Sequence, residues 1–260
     1  MTGQREAADV NNSASKGGIL EWLWPPHYDQ AITGSVFEYW GCAPVSTLVT
    51  RILFAIYFVV WFALGFERNL TGEYFAFLTI WGFIISGGYA IASVVLSSYQ
   101  LQGDKDAGGR PLRRWTCVLF EIALPFEAVI TILFWTLLWL PRYLDGDENF
   151  DYDFAVTVQL HGGGLLLLVI EFVLNRIPFF NRHLLVSLIV GCLYIPVNAA
   201  VTLIRDDPIY DIIDWMTPLS AVFALGSLAG LAIFHYFFMC LRRHAMSSDK
   251  PAEVPAGHGV

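Results

Sequence analysis

Six stretches of apolar residues, each close to the length of a membrane span, are separated along the chain by polar connections. They run from Ser46 to Phe66, Tyr74 to Ser97, Trp115 to Leu140, Phe154 to Leu174, His183 to Ile204 and Thr217 to Cys240. A helix of about 20 apolar residues crosses a hydrocarbon core, so each block predicts one transmembrane helix. The connections GDKDAGGRPLRR and PRYLDGDENFDYD combine Gly, Pro and charge, which break helices and prefer water. The pattern predicts an all-α integral membrane bundle of six transmembrane helices over residues 46–240. A polar N-terminal segment, 1–45, precedes it and a tail, 241–260, follows; both are expected to be cytoplasmic.

Composition agrees with that reading. Of 260 residues 56% are hydrophobic and 15% charged, where a soluble domain carries about 25% charged residues, so lipid has to cover the surplus apolar surface. The polar start of the chain, Met1 to Gly18, lacks the basic-then-apolar order of a signal peptide. Cys42, Cys117, Cys192 and Cys240 lie far apart, without disulfide or zinc spacing, and read as small apolar residues. The net charge is −8, and no nucleic-acid partner is expected. With the N-terminus cytoplasmic, twelve of the Lys and Arg residues fall on the inner side. Only Arg68, Arg142 and Arg205 fall on the outer side. Positive loops stay inside, so both termini are expected in the cytoplasm, in the plasma membrane or the endoplasmic reticulum.

Ionisable side chains within spans are costly and need a partner or a purpose. Glu121, Glu171 and His235 lie toward the inner ends, where pairing with Arg113, Arg114 and Arg176 or reaching the interface would satisfy them. Glu127 is nearer the middle and has to face the bundle interior, where a structural hydrogen bond is expected. His161 lies ~10 Å below the outer start of the fourth span, Thr79 ~8 Å below that of the second, and Asn198 ~9 Å below the outer end of the fifth. One level thus collects a hydroxyl, an imidazole and an amide. A Thr hydroxyl needs a neighbouring base to act as a nucleophile, and neutral His is the usual one. Asn198 could donate to an oxyanion or orient the imidazole. The glycines after His161 would admit a close neighbour, either a helix or an acyl chain. Equally open at this point, Thr79 bonds its own i−4 carbonyl and His161 simply bridges two helices.

The blocks FLTIWGF, FEIALPFEAVITILFW, LHGGGLLLLVIEFVLNRIP and YDIIDW, in this order from about Thr50 to Cys240, resemble the rolling stone family. That family is related to the androgen-induced gene product family of membrane threonine hydrolases, which act on fatty acid esters of hydroxy fatty acids. The resemblance implies a nucleophilic Thr after Leu in the FLT block, Thr79, and a paired His ten residues before a Glu, His161 before Glu171. The chain departs from the rolling stone pattern at Ile80, where Asn is usual, and at Gly162 to Gly164, where a longer polar sequence is usual. The expected function is hydrolysis of a long-chain lipid ester by Thr79 and His161, with Asn198 beside them, membrane lipids as partners and no cofactor. The alternative is a non-enzymatic membrane scaffold or fusion factor of the rolling stone type. A transporter or proton channel working through Glu127 and His161 lacks paired acids along one path and an inverted repeat.

Overall fold

A computed structural model describes residues 18–32, 34–68, 72–103, 109–144, 152–210 and 212–248. Among these residues the chain is helical and has no strand. The short helices α1 (Ile19–Leu23) and α2 (Pro26–Ala31) lead into α3 (Pro44–Arg68) and α4 (Leu78–Leu101). Helix α5 (Gly109–Leu133) runs through a π-helical turn, Phe134–Trp139, into α6 (Leu140–Leu144). Helix α7 (Tyr152–Val158) passes through a second π-helical turn, Gln159–Gly163, into α8 (Gly164–Leu174), and α9 (Leu184–Arg205) and α10 (Pro218–Ser248) complete the chain. Six of these stretches are long and apolar enough to cross a membrane: Pro44–Glu67, Leu78–Leu101, Gly109–Trp139, Val156–Leu174, Asn181–Arg205 and Pro218–Ser247. The protein is a multi-pass helical membrane protein.

Its polarity is inverted relative to a soluble bundle. On α3 the exposed residues include Val45, Val49, Ile52, Leu53, Ile56, Val59 and Val60, while Thr47 and Arg51 on the same helix are buried. The i, i+3, i+4 spacing of that apolar stripe is a helix face, and it points outward, where only lipid can cover it at low cost. The third span is the central one. In its apolar window 72% of residues are buried, against 17–44% in the other five. It packs against α4, α8, α9 and α10, and Phe120, Ala123 and Leu124 form its fully buried face.

The buried ionisable groups have partners other than those expected from the sequence. Glu171 takes Arg51, with Nη2 to Oε1 at 2.6 Å. It also accepts from the hydroxyls of Tyr39 and Tyr89, so a carboxylate in the bundle interior is neutralised rather than led to the interface. Glu121 meets His183, with Nδ1 to Oε1 at 2.7 Å, and His235 Nε2 lies 3.2 Å from the Phe180 carbonyl. Arg114 instead forms a bidentate pair with Asp29 on α2. Linear order hides these pairs, because they join faces that only helix packing brings together. Glu127 is fully buried and accepts from Ser86 Oγ at 3.0 Å, as expected.

The second span starts later than the apolar block suggested. Gly72–Ala76 is a 3₁₀ turn, and Tyr74 folds back to donate to the Phe62 carbonyl at 2.8 Å. Thr79 is therefore the second residue of α4, within its first turn. Part of the supposed polar N-terminal segment is also packed on the bundle, where Trp24, Ile32, Phe37 and Tyr39 are buried. The acidic residues Asp145, Asp147, Glu148 and Asp151 of the PRYLDGDENFDYD connection lie outside the described residues.

Candidate active site

Thr79 owes its position to the way α4 begins. Phe77, in extended conformation, offers no side-chain cap, and the orphan N–H of Leu78 donates to the hydroxyl of Tyr210 at 2.9 Å. The connection after α9 thus caps α4 and lies over its first turn. Burial raises the Tyr210 phenol above its ordinary value, and the Leu78 N–H opposes this in part.

His161 is positioned by the π-helical turn Gln159–Gly163. Such a turn holds one residue more than the α-helix, which re-aims side chains and frees carbonyls, and it recurs at functional sites. Two of the carbonyls here find side-chain donors: Tyr57 Oη donates to Gln159 O at 2.8 Å and Trp135 Nε1 to His161 O at 3.1 Å. The ring of Phe134, in the other π-helical turn, stacks on the imidazole with centroids 3.6 Å apart and planes at 1°. Of the three glycines that follow, two are forced by close neighbours. A Cβ on Gly163 would stand 1.9 Å from the Tyr57 hydroxyl, and one on Gly164 would stand 2.9 Å from Glu127 Oε2. The neighbours that approach are thus a tyrosine and a carboxyl.

Thr79 Oγ1 lies 3.3 Å from His161 Nδ1, the loose end of hydrogen-bond reach and ordinary for an unliganded nucleophile and base. With Nδ1 as acceptor, the ring proton sits on Nε2. Asn198 borders the same cavity as both. Its Nδ2 donates to Tyr194 Oη at 3.2 Å and its Oδ1 accepts from Trp215 Nε1 at 2.8 Å, which leaves one amide N–H for another acceptor. Tyr194 in turn donates to the Ala76 carbonyl at 2.8 Å. Trp215 adopts φ 59°, a left-handed backbone rare for a bulky side chain.

The cavity holds about 90 Å³. Its walls are mostly apolar, with Phe126, Ile130, Leu137, Ile195 and Leu228 among them, and Thr79, His161, Asn198 and Tyr194 also line it. A hydroxyl, its base and a remaining amide donor on the wall of a mostly apolar cavity suit the ester end of a long-chain molecule. Tyr210, Tyr194, Trp215 and Phe134 were not singled out from the sequence. Tyr210 and Trp215 bound the YDIIDW block, but nothing in linear order shows that the connection after α9 folds over α4. Among the described residues, the only group able to hold a metal ion is Cys117, Glu121 and His183, near the start of α5, whereas Phe134 lies beyond its end. Compared with protein families, curated proteins and solved structures, the chain has no match.

Proposed function

We propose that the protein hydrolyses long-chain lipid esters within the membrane, with Thr79 as nucleophile and His161 as base. The observation that carries this reading is the 3.3 Å approach of Thr79 Oγ1 to His161 Nδ1 on the wall of an apolar cavity. Thr79 Oγ1 attacks the ester carbonyl carbon as its proton passes to Nδ1. The tetrahedral oxyanion is met by the remaining Asn198 amide N–H. Collapse breaks the carbon–oxygen bond, Nδ1 returns the proton to the departing alcohol, and an acyl-threonine remains. Water, deprotonated by the same imidazole, releases the fatty acid and restores the hydroxyl. A relationship to the rolling stone and androgen-induced gene product families is part of this proposal and rests on the ordered sequence blocks.

Purified protein in detergent is expected to hydrolyse long-chain esters slowly. Thr79→Ala and His161→Ala should each lower turnover by at least ~10²-fold, without adding when combined, and both variants should stay folded. Undiminished turnover in folded Thr79→Ala excludes this nucleophile. An inactive native protein over a broad ester panel leaves the hydroxyl–imidazole contact as helix bonding, the scaffold alternative. The proposed orientation puts both termini in the cytoplasm and the site in the outer half of the bilayer, on the twelve-to-three division of basic residues. Tags at either terminus should then be protected from protease in sealed cells, and tags that are cleaved refute it.

A further inference from the structure

At the end of the bundle remote from Thr79, Cys117 and Glu121 stand one turn apart on α5, and His183 stands immediately before α9. All three are fully buried. One donor atom from each, a sulfur, a carboxylate oxygen and an imidazole nitrogen, lies within 4.8 Å of the other two. Cys117 Sγ is 3.1 Å from Glu121 Oε1, and His183 Nδ1 is 2.7 Å from the same oxygen. We propose that Cys117, Glu121 and His183 form a binding site for one zinc-class divalent cation.

The donor set selects the metal. Thiolate and imidazole suit Zn²⁺ and its near relatives, whereas Ca²⁺ and Mg²⁺ take oxygen alone. A tetrahedral zinc with bonds of about 2.0–2.3 Å has ligand-to-ligand edges of about 3.3–3.5 Å. The present separations of 3.1 and 2.7 Å therefore need to open by about half an ångström, and the third edge, sulfur to imidazole nitrogen, now within 4.8 Å, settles at about 3.5 Å as the side chains rotate onto the ion. Both the thiol and the imidazole converge on the single atom Oε1, which gathers the three donors about one point.

The surroundings resemble the outer shell of a metal site. Phe180 N–H donates to Glu121 Oε2 at 2.7 Å, which fixes the carboxylate plane and leaves Oε1 for the ion, as partners of ligating carboxylates do. The Pro178 carbonyl lies 3.7 Å from Cys117 Sγ, close to one tetrahedral edge. Trp24, between α1 and α2, packs on the imidazole with centroids 4.4 Å apart, and Tyr28 on α2 stacks on Phe180 at 3.8 Å, so these two rings cover the buried cluster. Among the described residues His183 Nε2 has no hydrogen-bond partner, so the polar contact this ring makes there is through Nδ1, to Glu121. From Cys117 to Phe134, beside the hydrolytic site, α5 rises ~26 Å. The cation is therefore a clamp between α5 and the segment leading into α9, and its presence does not depend on whether the protein hydrolyses esters.

The test uses the full-length protein without a polyhistidine tag, made in cells supplied with cobalt or with zinc so that the ion enters during folding. Cobalt protein should hold one ion per chain and show thiolate-to-cobalt charge-transfer absorption with tetrahedral visible bands. Cys117→Ser should lose the charge-transfer band. His183→Gln should bind at least ~10-fold more weakly. Cys192→Ser, at an exposed position on α9, should match the native spectrum. X-ray absorption at the zinc edge of native protein requires no variant to fold, and should show one sulfur among nitrogen and oxygen ligands. Less than a tenth of an equivalent of metal, a charge-transfer band that survives Cys117→Ser, or a zinc shell without sulfur overturns the proposal.

Discussion

Glu127 shows how closely single residues are fitted in this bundle. Its carboxyl is fully buried at the centre of the third span; Ser86 holds one oxygen, and among the described residues the other has no hydrogen-bond partner. Space for it comes from the absence of side chains on two neighbouring helices. A Cβ on Gly82 would meet Oε1 at 3.0 Å, and one on Gly164 would meet Oε2 at 2.9 Å and Cδ at 3.1 Å. Gly82 follows Thr79 by one turn and Gly164 follows His161 by one turn, so the carboxyl lies under both members of the proposed pair. Gly164→Ala should therefore cost about 1–3 kcal/mol as overpacking, read as a fall in melting temperature. Combining it with Glu127→Ala should recover part of that loss, since residues in contact do not add. Strict additivity would show that the methyl and the carboxyl do not compete for the same space. The sequence placed Glu127 inside and gave it a hydrogen bond, but the part played by the glycines needed the packed helices.

At the scale of elements, the six spans were readable because apolar length is a direct demand of the bilayer. The departures occur where backbone or side-chain hydrogen bonds reset a helix. The second span begins at Leu78 because Tyr74 turns back to the end of α3, which moved Thr79 into a first turn. Neither π-helical turn has a sequence signature, since each reads as continuous apolar helix. The turn at 159–163 carries one surplus residue, which makes it directly testable. Deletion of Gly162, whose Cβ would meet nothing closer than 3.8 Å, should restore regular α-helix and rotate His161 by about 100° relative to α8. Melting should move by only a few degrees while ester hydrolysis falls to the level of His161→Ala. Retained hydrolysis in the deletion protein would mean that the π turn does not set the imidazole.

For the whole molecule, buried charge joins parts that are distant in sequence. Arg51 and Glu171 tie α3 to α8, and Ser97 on α4 accepts from Arg51 Nη1 at 2.7 Å. Inward-facing polar groups and outward-facing apolar ones follow from composition and periodicity together, but which acid meets which base does not. Asp29 extends the scheme to α2, where its pair with Arg114 on α5 holds its carboxyl below the usual carboxylate range. A depressed carboxyl contributes stability above its unfolded value, about 4, and loses it as pH falls through the lower folded value. Because the pair is partly exposed, the effect is modest. Hydrogen exchange in residues 19–31 should thus be steady from neutral pH to about 5, once corrected for its intrinsic pH dependence, and should accelerate below about 4. Asp29→Asn should show the faster exchange throughout; an identical pH profile in that variant rules out this carboxyl as the titrating group.

The left-handed backbone at Trp215 has a further consequence for the connection that lies over α4. Holding a tryptophan at φ 59° costs on the order of 1 kcal/mol or more, and the indole bond to Asn198 and the Ser220 hydroxyl that accepts from the Trp215 N–H oppose it. Part of what those two bonds contribute is therefore taken up by backbone strain. The connection resembles a sprung latch, one that fastens Asn198 with less net stability than its contacts alone imply.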